Sequence, residues 1–284
     1  MPLVGSREML YRAMEGGYAV GAFNITCLDL INPIVEAAEA ESAPIILAVA
    51  PRHLAFMKLH VVSAAARAAA AAATVPIALH LDHGVGFEQN VACLQAGFTS
   101  LMFDGSAKPY EENVQISRRI VEMAHAVGIG VEVELGRVLR ADERPSVEDV
   151  QAALTDPGEA KEFAEATGAD YLAVAVGTVH NMVKRAANID LPRIAAIRER
   201  VRLPLVLHGG SGVPHETIAA AVANGICKIN VATELNKQLR SGMETAYAAM
   251  PAEVAPSTLM PEALALVREA VAEKIRLFGS AGKA

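Results

Sequence analysis

The stretch Ile77-Ala78-Leu79-His80-Leu81-Asp82-His83-Gly84 changes character within a few positions. It opens apolar, as a strand covered on both faces does, and ends in imidazoles, a carboxylate and a glycine. The same change recurs along the chain. Strand candidates are Ala19–Asn24, Pro44–Ala48, Ile77–Asp82, Ser100–Asp104, Gly130–Glu134, Tyr171–Val176, Leu205–Leu207 and Ile226–Val231. Helical patterns lie between them, among them Glu112–His125, Glu216–Ala223 and Thr233–Tyr247. Eight strand-then-helix units in 284 residues predict an α/β fold. The expected form is a (β/α)8 TIM barrel spanning residues 1–284 as one domain, with an open doubly wound sheet as the rival. Two segments break the rhythm. Residues 136–157 form a polar connection as long as a lid or binding loop. Pro261–Phe278 reads as an additional C-terminal helix beyond the barrel, after the proline-containing stretch Met250–Pro261.

Composition narrows the function. With 52% hydrophobic and 20% charged residues the chain can bury a large core, which excludes disorder. A net charge of -7 with no Lys/Arg run argues against nucleic acid. The three cysteines, Cys27, Cys93 and Cys227, form no Cys-x-x-Cys pair, so no disulfide framework or cysteine zinc site is expected. The start, MPLVGSREML, does not read as a signal peptide. The alanine-rich run Ala64–Ala73 carries Arg67 and is too short to span a bilayer. A cytoplasmic, membrane-free location follows as an expectation.

Barrel enzymes place their chemistry at the C-terminal ends of the strands. His83, His180 and His208 stand at three of those ends, and three imidazoles plus an open position describe a catalytic zinc site. His53, His60, His125 and His215 lie in helices or connections and read as surface or capping residues. His80 reads equally as a support behind the metal ligands or as core packing. Asp82 is a candidate general acid/base or a group that orients a histidine. It reaches the same site as His83 only if the chain bends there, because adjacent strand residues point to opposite faces. Asp104 is the better candidate for orienting a histidine. Glu134 is either an alternate metal ligand or such a support. Gly209-Gly210-Ser211-Gly212 and Asn230-Val231-Ala232-Thr233 offer backbone N–H groups to a phosphate at loops seven and eight. Strand parity places Lys228 on the face of Asn230 and Glu132 on the face of Glu134. A buried lysine needs a partner, and Glu132 is the first candidate.

These motifs, with Glu132-Val133-Glu134-Leu135-Gly136 and Lys228-Ile229-Asn230-Val231-Ala232-Thr233-Glu234-Leu235, resemble those of class II, zinc-dependent ketose-bisphosphate aldolases. The resemblance runs from Val20-Gly21-Ala22-Phe23-Asn24 to Phe278-Gly279-Ser280. Ala232, where the fructose-bisphosphate branch usually has Asp, brings the chain closest to the tagatose-bisphosphate branch. The resemblance implies Zn2+ held by His83, His180 and His208, which stabilises the enediolate of dihydroxyacetone phosphate. It makes Asp82 the proton carrier at the C4 oxygen. An acidic residue of the loop after Glu134, Asp142 or Glu143, would move the proton at C3. It implies phosphate or substrate contacts from Asn24, Asn181, Lys184, Gly209, Gly210, Ser211, Asn230, Val231, Ala232 and Thr233, and a monovalent cation (Na+ or K+) near the phosphate. It also implies a small phosphorylated sugar as substrate and a homodimer or homotetramer. Four positions depart from the family pattern: Leu139-Arg140 in place of glycines, Asn181 in place of Gly, and Ala50 in place of Ser or Thr. Arg140 and Arg144 either recognise an anionic group at the far end of the substrate or form a solvated charge cluster. Three other readings stand beside this one: a related aldolase for another phosphorylated ketose, a Schiff-base aldolase using Lys228, and a non-catalytic companion subunit.

Overall fold

Eight parallel strands close on themselves in sequence order. They are β1 (Val20–Asn24), β2 (Ile45–Val49), β3 (Ile77–Leu81), β4 (Ser100–Phe103), β5 (Gly130–Leu135), β6 (Tyr171–Val174), β7 (Leu205–Leu207) and β8 (Ile226–Val231). The computed structural model describes residues 3–180, 189–249 and 255–284. The helices, in chain order, are α1 (Ser6–Gly16), α2 (Ile31–Ala40), α3 (Pro51–Met57), α4 (Leu59–Ala72), α5 (Phe87–Gln95), α6 (Tyr110–His125), α7 (Val147–Ala152), α8 (Pro157–Thr167), α9 (Leu191–Arg200), α10 (His215–Ala223), α11 (Thr233–Ala249) and α12 (Pro256–Leu277). Among the described residues, no single helix is long and apolar enough to cross a membrane. The fold is the (β/α)8 barrel expected from the alternation of short apolar runs and helical patterns.

Every strand residue is buried, because outward side chains meet the helices and inward ones fill the barrel. Leu79, Leu81, Leu101, Phe103, Val131 and Val133 belong to the outer apolar layer. The lower interior is apolar too, with Val20, Ala22, Ile46, Ala78, Met102 and Val206. Met9, Leu10 and Ala13 of α1 join that inner cluster. Ser6 of α1 bonds the Tyr171 hydroxyl at 2.5 Å, at the start of β6. α1 therefore closes the N-terminal mouth of the barrel and leaves the other mouth open.

Three outcomes differ from the sequence reading. α1 was not anticipated, because it precedes the first strand and belongs to no strand-then-helix unit. Several strand ends shift by one or two residues; β6 stops at Val174 and β5 runs on to Leu135. The C-terminal helix begins at Pro256, with Pro261 inside it. That proline is the sixth residue of the helix, past the four N–H groups that have no intrahelical partner, so it removes one bond of the ladder, to the carbonyl of residue 257. α12 packs on α11, and a Cβ on Gly242 would lie 2.5 Å from the Ala263 Cα.

Residues 136–157 have structure of their own. Arg137 N–H donates to Ala153 O at 2.9 Å, Ala141 N–H to His180 O at 2.9 Å, and His180 N–H to Leu139 O at 2.8 Å. The Ser146 hydroxyl accepts from Asp149 N and caps α7. The connection thus lies along the segment that carries His180.

Candidate active site

A cavity of about 450 Å³ opens at the C-terminal ends of the strands. Asn24, Asp82, His83, Asp104, His180, Gly209, Ser211, Asn230, Ala232 and Thr233 all line it. One bend brings Asp82 and His83 together. His83 carries φ 52, in the left-handed region, so the strand turns at the histidine itself. Gly84 makes this possible: a Cβ there would sit 2.2 Å from the Met102 carbonyl oxygen.

The three imidazoles converge. One ring nitrogen from each of His83, His180 and His208 lies within 4.8 Å of the other two. His83 Nδ1 donates to Asp104 Oδ2 at 2.7 Å, which leaves Nε2 for the centre. Asp104 is itself held by Ser106 N and Oγ. On the opposite side, His208 Nε2 donates to Glu132 Oε1 at 2.8 Å, leaving Nδ1 only 2.9 Å from His83 Nε2. A carboxylate stands behind two of the three imidazoles, an arrangement proteins use to aim a histidine at a metal, so this donor set fits a divalent ion. Glu134 adds to the fit. Its buried Oε2 has no hydrogen-bond partner and lies 3.8 Å from His83 Nδ1 and 3.7 Å from His208 Nδ1. His83, Asp104 and Glu134 form a second group able to hold an ion.

The charges follow from these neighbours. Burial disfavours the His83 imidazolium, but Asp82, Asp104 and Glu134 outweigh it and raise its pKa to about 10. Burial and then the neighbouring His83 lower His180 to about 3 and also depress His208. Burial, reinforced by Asp104, pushes Glu134 up to about 8. Burial works against the Asp82 carboxylate too, yet His83, His208 and Lys228 hold it well below the usual carboxylate range.

Asp82 is gripped from two sides. Asn24 Nδ2 donates to its Oδ2 at 2.6 Å and Asn230 Nδ2 to its Oδ1 at 2.7 Å. The sequence assigned both asparagines to substrate, and their service to Asp82 was missed. Parity turns the three side chains into the barrel but carries no register between β1, β3 and β8, so the sequence held only part of that signal. Asn230 Oδ1 remains buried without a partner.

The remaining expected positions divide. Gly210 must be glycine, since a Cβ would meet Ile229 Cγ2 at 2.7 Å. Ser211 Oγ accepts from Glu234 N at 3.4 Å, in the first turn of α11. The Val231 side chain faces the outer apolar layer, so only its backbone can serve a ligand. Asp142 pairs with Arg140 at 3.2 Å and Glu143 with Arg137 at 3.0 Å, and neither acid lines the cavity. Asn181 and Lys184 lie outside the described residues. Arg52, Arg137 and Ser106 line the cavity and were not singled out in the sequence. Lys228 Nζ donates to Glu132 Oε2 at 2.7 Å, as strand parity predicts.

Comparison with known proteins gives a consistent result. The model of the family described as class-II fructose-bisphosphate aldolase matches residues 4–283. A probable fructose-bisphosphate aldolase of Bacillus subtilis (strain 168) is 41% identical over 287 residues, covering 100% of both chains. A fructose-bisphosphate aldolase of Thermus caldophilus is 39% identical, covering 99% of this chain and 100% of its own. Among solved structures, the YdjI aldolase from Escherichia coli K12 aligns with a TM-score of 0.88 at 33% identity over 99% of each chain.

Proposed function

The chain belongs to the class II fructose-bisphosphate aldolase family and is an aldolase, a carbon–carbon lyase, and from that premise we propose zinc-dependent, reversible cleavage of a ketose 1,6-bisphosphate of the tagatose or fructose type. The products are dihydroxyacetone phosphate and an aldehyde such as glyceraldehyde 3-phosphate. The observation that carries this reading is the convergence of three imidazoles beside a carboxylate that two amides hold in place.

His83, His180 and His208 hold the zinc in this proposal. When bound, it supplies Lewis-acid polarisation of the substrate oxygens. Asp82 takes the proton of the C4 hydroxyl during cleavage and returns it during condensation. Asn24 and Asn230 fix its two oxygens, so its carboxylate meets the substrate in one orientation. The side-chain Oδ1 of Asn230, buried and unpartnered, is free to accept from a substrate hydroxyl. Backbone N–H groups at Gly209–Ser211 and at the start of the 17-residue helix α11 receive the phosphate of the dihydroxyacetone half. A monovalent cation near that phosphate remains part of the proposal. Glu143 or Asp142 moves the proton at C3 only after leaving its arginine.

The Schiff-base reading finds no support in the site. Lys228 lines no part of the cavity and is only 1% exposed, with its amine donating to Glu132. A cytoplasmic homodimer or homotetramer completes the proposal, and the three free cysteines suit a reducing compartment. The test is cleavage of tagatose and fructose 1,6-bisphosphates by purified protein, before and after chelation. Loss of activity with a chelator and recovery with Zn2+ is expected; full activity without divalent metal would refute the proposal.

A further inference from the structure

Below the metal centre, a lysine and a glutamate are buried together inside the barrel. Glu132 is 0% exposed and Lys228 1%. The two oxygens of Glu132 serve different partners. Oε1 accepts from His208 Nε2 at 2.8 Å and Oε2 from Lys228 Nζ at 2.7 Å. Lys228 Nζ also meets His80 Nε2 at 3.4 Å, and that nitrogen lies 3.7 Å from the same Glu132 Oε2. His80 Nδ1 in turn bonds Ser100 Oγ at 2.7 Å. Burial, followed by Lys228, lowers the His80 pKa to about 3, so its Nε2 accepts from the amine. The line Ser100–His80–Lys228–Glu132–His208 crosses the barrel interior and ends on a ring whose other nitrogen faces the centre.

We propose that Lys228 is a positioning residue for the metal site: by fixing the plane of Glu132 it keeps the proton of His208 on Nε2 and the lone pair of Nδ1 on the metal. This rests on the reading of the three imidazoles as the zinc site. Glu132 accepts from His208 in one orientation, and Lys228 is the group that holds it there. Without the lysine a charged carboxylate stays buried and unpaired, which is strongly destabilising, and its hold on the imidazole is lost. His80 thereby gains a role: it seats Lys228 and touches no ligand.

The test compares wild type, Lys228→Met and the double variant Lys228→Met/Glu132→Gln. Zinc affinity is measured by chelator competition, the His208 tautomer by nitrogen-15 NMR, and folding by thermal unfolding. Lys228→Met is expected to bind zinc about 10–100-fold more weakly, the range for groups that orient ligands, with His208 no longer held as the single Nε2–H form. The double variant removes both charges and so relieves the unpaired carboxylate, but no donor fixes the plane of the new amide, so zinc affinity stays weakened and His208 is no longer held as the single Nε2–H form. If Lys228→Met does not fold, the double variant decides alone: weakened affinity with a mixed tautomer supports the proposal, and wild-type affinity and tautomer overturn it. Unchanged affinity and tautomer in folded Lys228→Met would also overturn it. A wild-type protein that bound no zinc would instead remove the reading of the site on which the proposal stands.

Discussion

Asp82→Asn removes one charge and almost no volume. In the wild type both carboxylate oxygens accept amide hydrogens, at 2.6 and 2.7 Å. The new side chain offers one oxygen and one NH2, so one neighbouring asparagine must turn over. Asn230 can do so without breaking another bond of its Oδ1, which has no partner. Two bonds to an ionised acceptor, worth about 1.5–3 kcal/mol each, become neutral bonds worth about 1 kcal/mol each. The loss is about 2 kcal/mol, or roughly 4–8 °C in unfolding midpoint. Catalysis suffers more. Asp104 cannot replace the lost carboxylate, because its oxygens are taken by His83 and Ser106. Losing a positioned acid/base lowers kcat by about 10²–10⁴, which is about 3–5 kcal/mol in barrier. Steady-state cleavage kinetics with zinc content measured on the same sample decide the matter. A kcat within tenfold of wild type, with zinc still bound, would refute the role given to Asp82.

Asp104→Asn is expected to weaken zinc binding about tenfold or more by removing the carboxylate behind His83, and chelator titration checks this. Gly84→Ala drives a Cβ toward a backbone oxygen 2.2 Å away; overpacking of this kind costs about 1–3 kcal/mol, seen as a lower melting temperature, and an unshifted melt would contradict the close approach. The His83 pKa in the folded chain, about 10, exceeds its ordinary 6.5. Its stabilising contribution is therefore complete below 6.5 and is lost as pH rises through about 10. Glu134, raised from 4.5 to about 8, acts in the same direction: its contribution is complete below 4.5 and gone above about 8. Chelator-treated protein should melt lower at pH 9 than at pH 6. Zinc-loaded protein should change less, since a metal-bound imidazole is already unprotonated. Equal slopes with and without zinc would contradict this.

The barrel was legible because each strand is a short apolar run that turns polar where it leaves the sheet. Ile77–Asp82 with His83 behind it is the clearest case. Strand parity went further and joined Lys228 to Glu132 across the barrel, because two inward charges in a narrow interior must meet. Parity gives direction, however, and not register between distant strands. It could not say that Glu132 would also hold His208 or that Asn24 and Asn230 would close on Asp82. The acids of the long connection were harder still. Asp142 and Glu143 were read by their place after Glu134, yet their arginine partners depend on how the loop folds back along His180. The α1 plug was missed for a different reason: an amphipathic helix before the first strand carries no mark of what it will cover.

Anomalous diffraction at the zinc edge, on crystals of the zinc-loaded protein, addresses the imidazole cluster itself. One strong peak is expected about 2.0–2.1 Å from His83 Nε2, His208 Nδ1 and a ring nitrogen of His180, with Asp82 alongside. A peak bound elsewhere, or none with the three rings left in mutual contact, would contradict a metal-dependent aldolase built on these histidines.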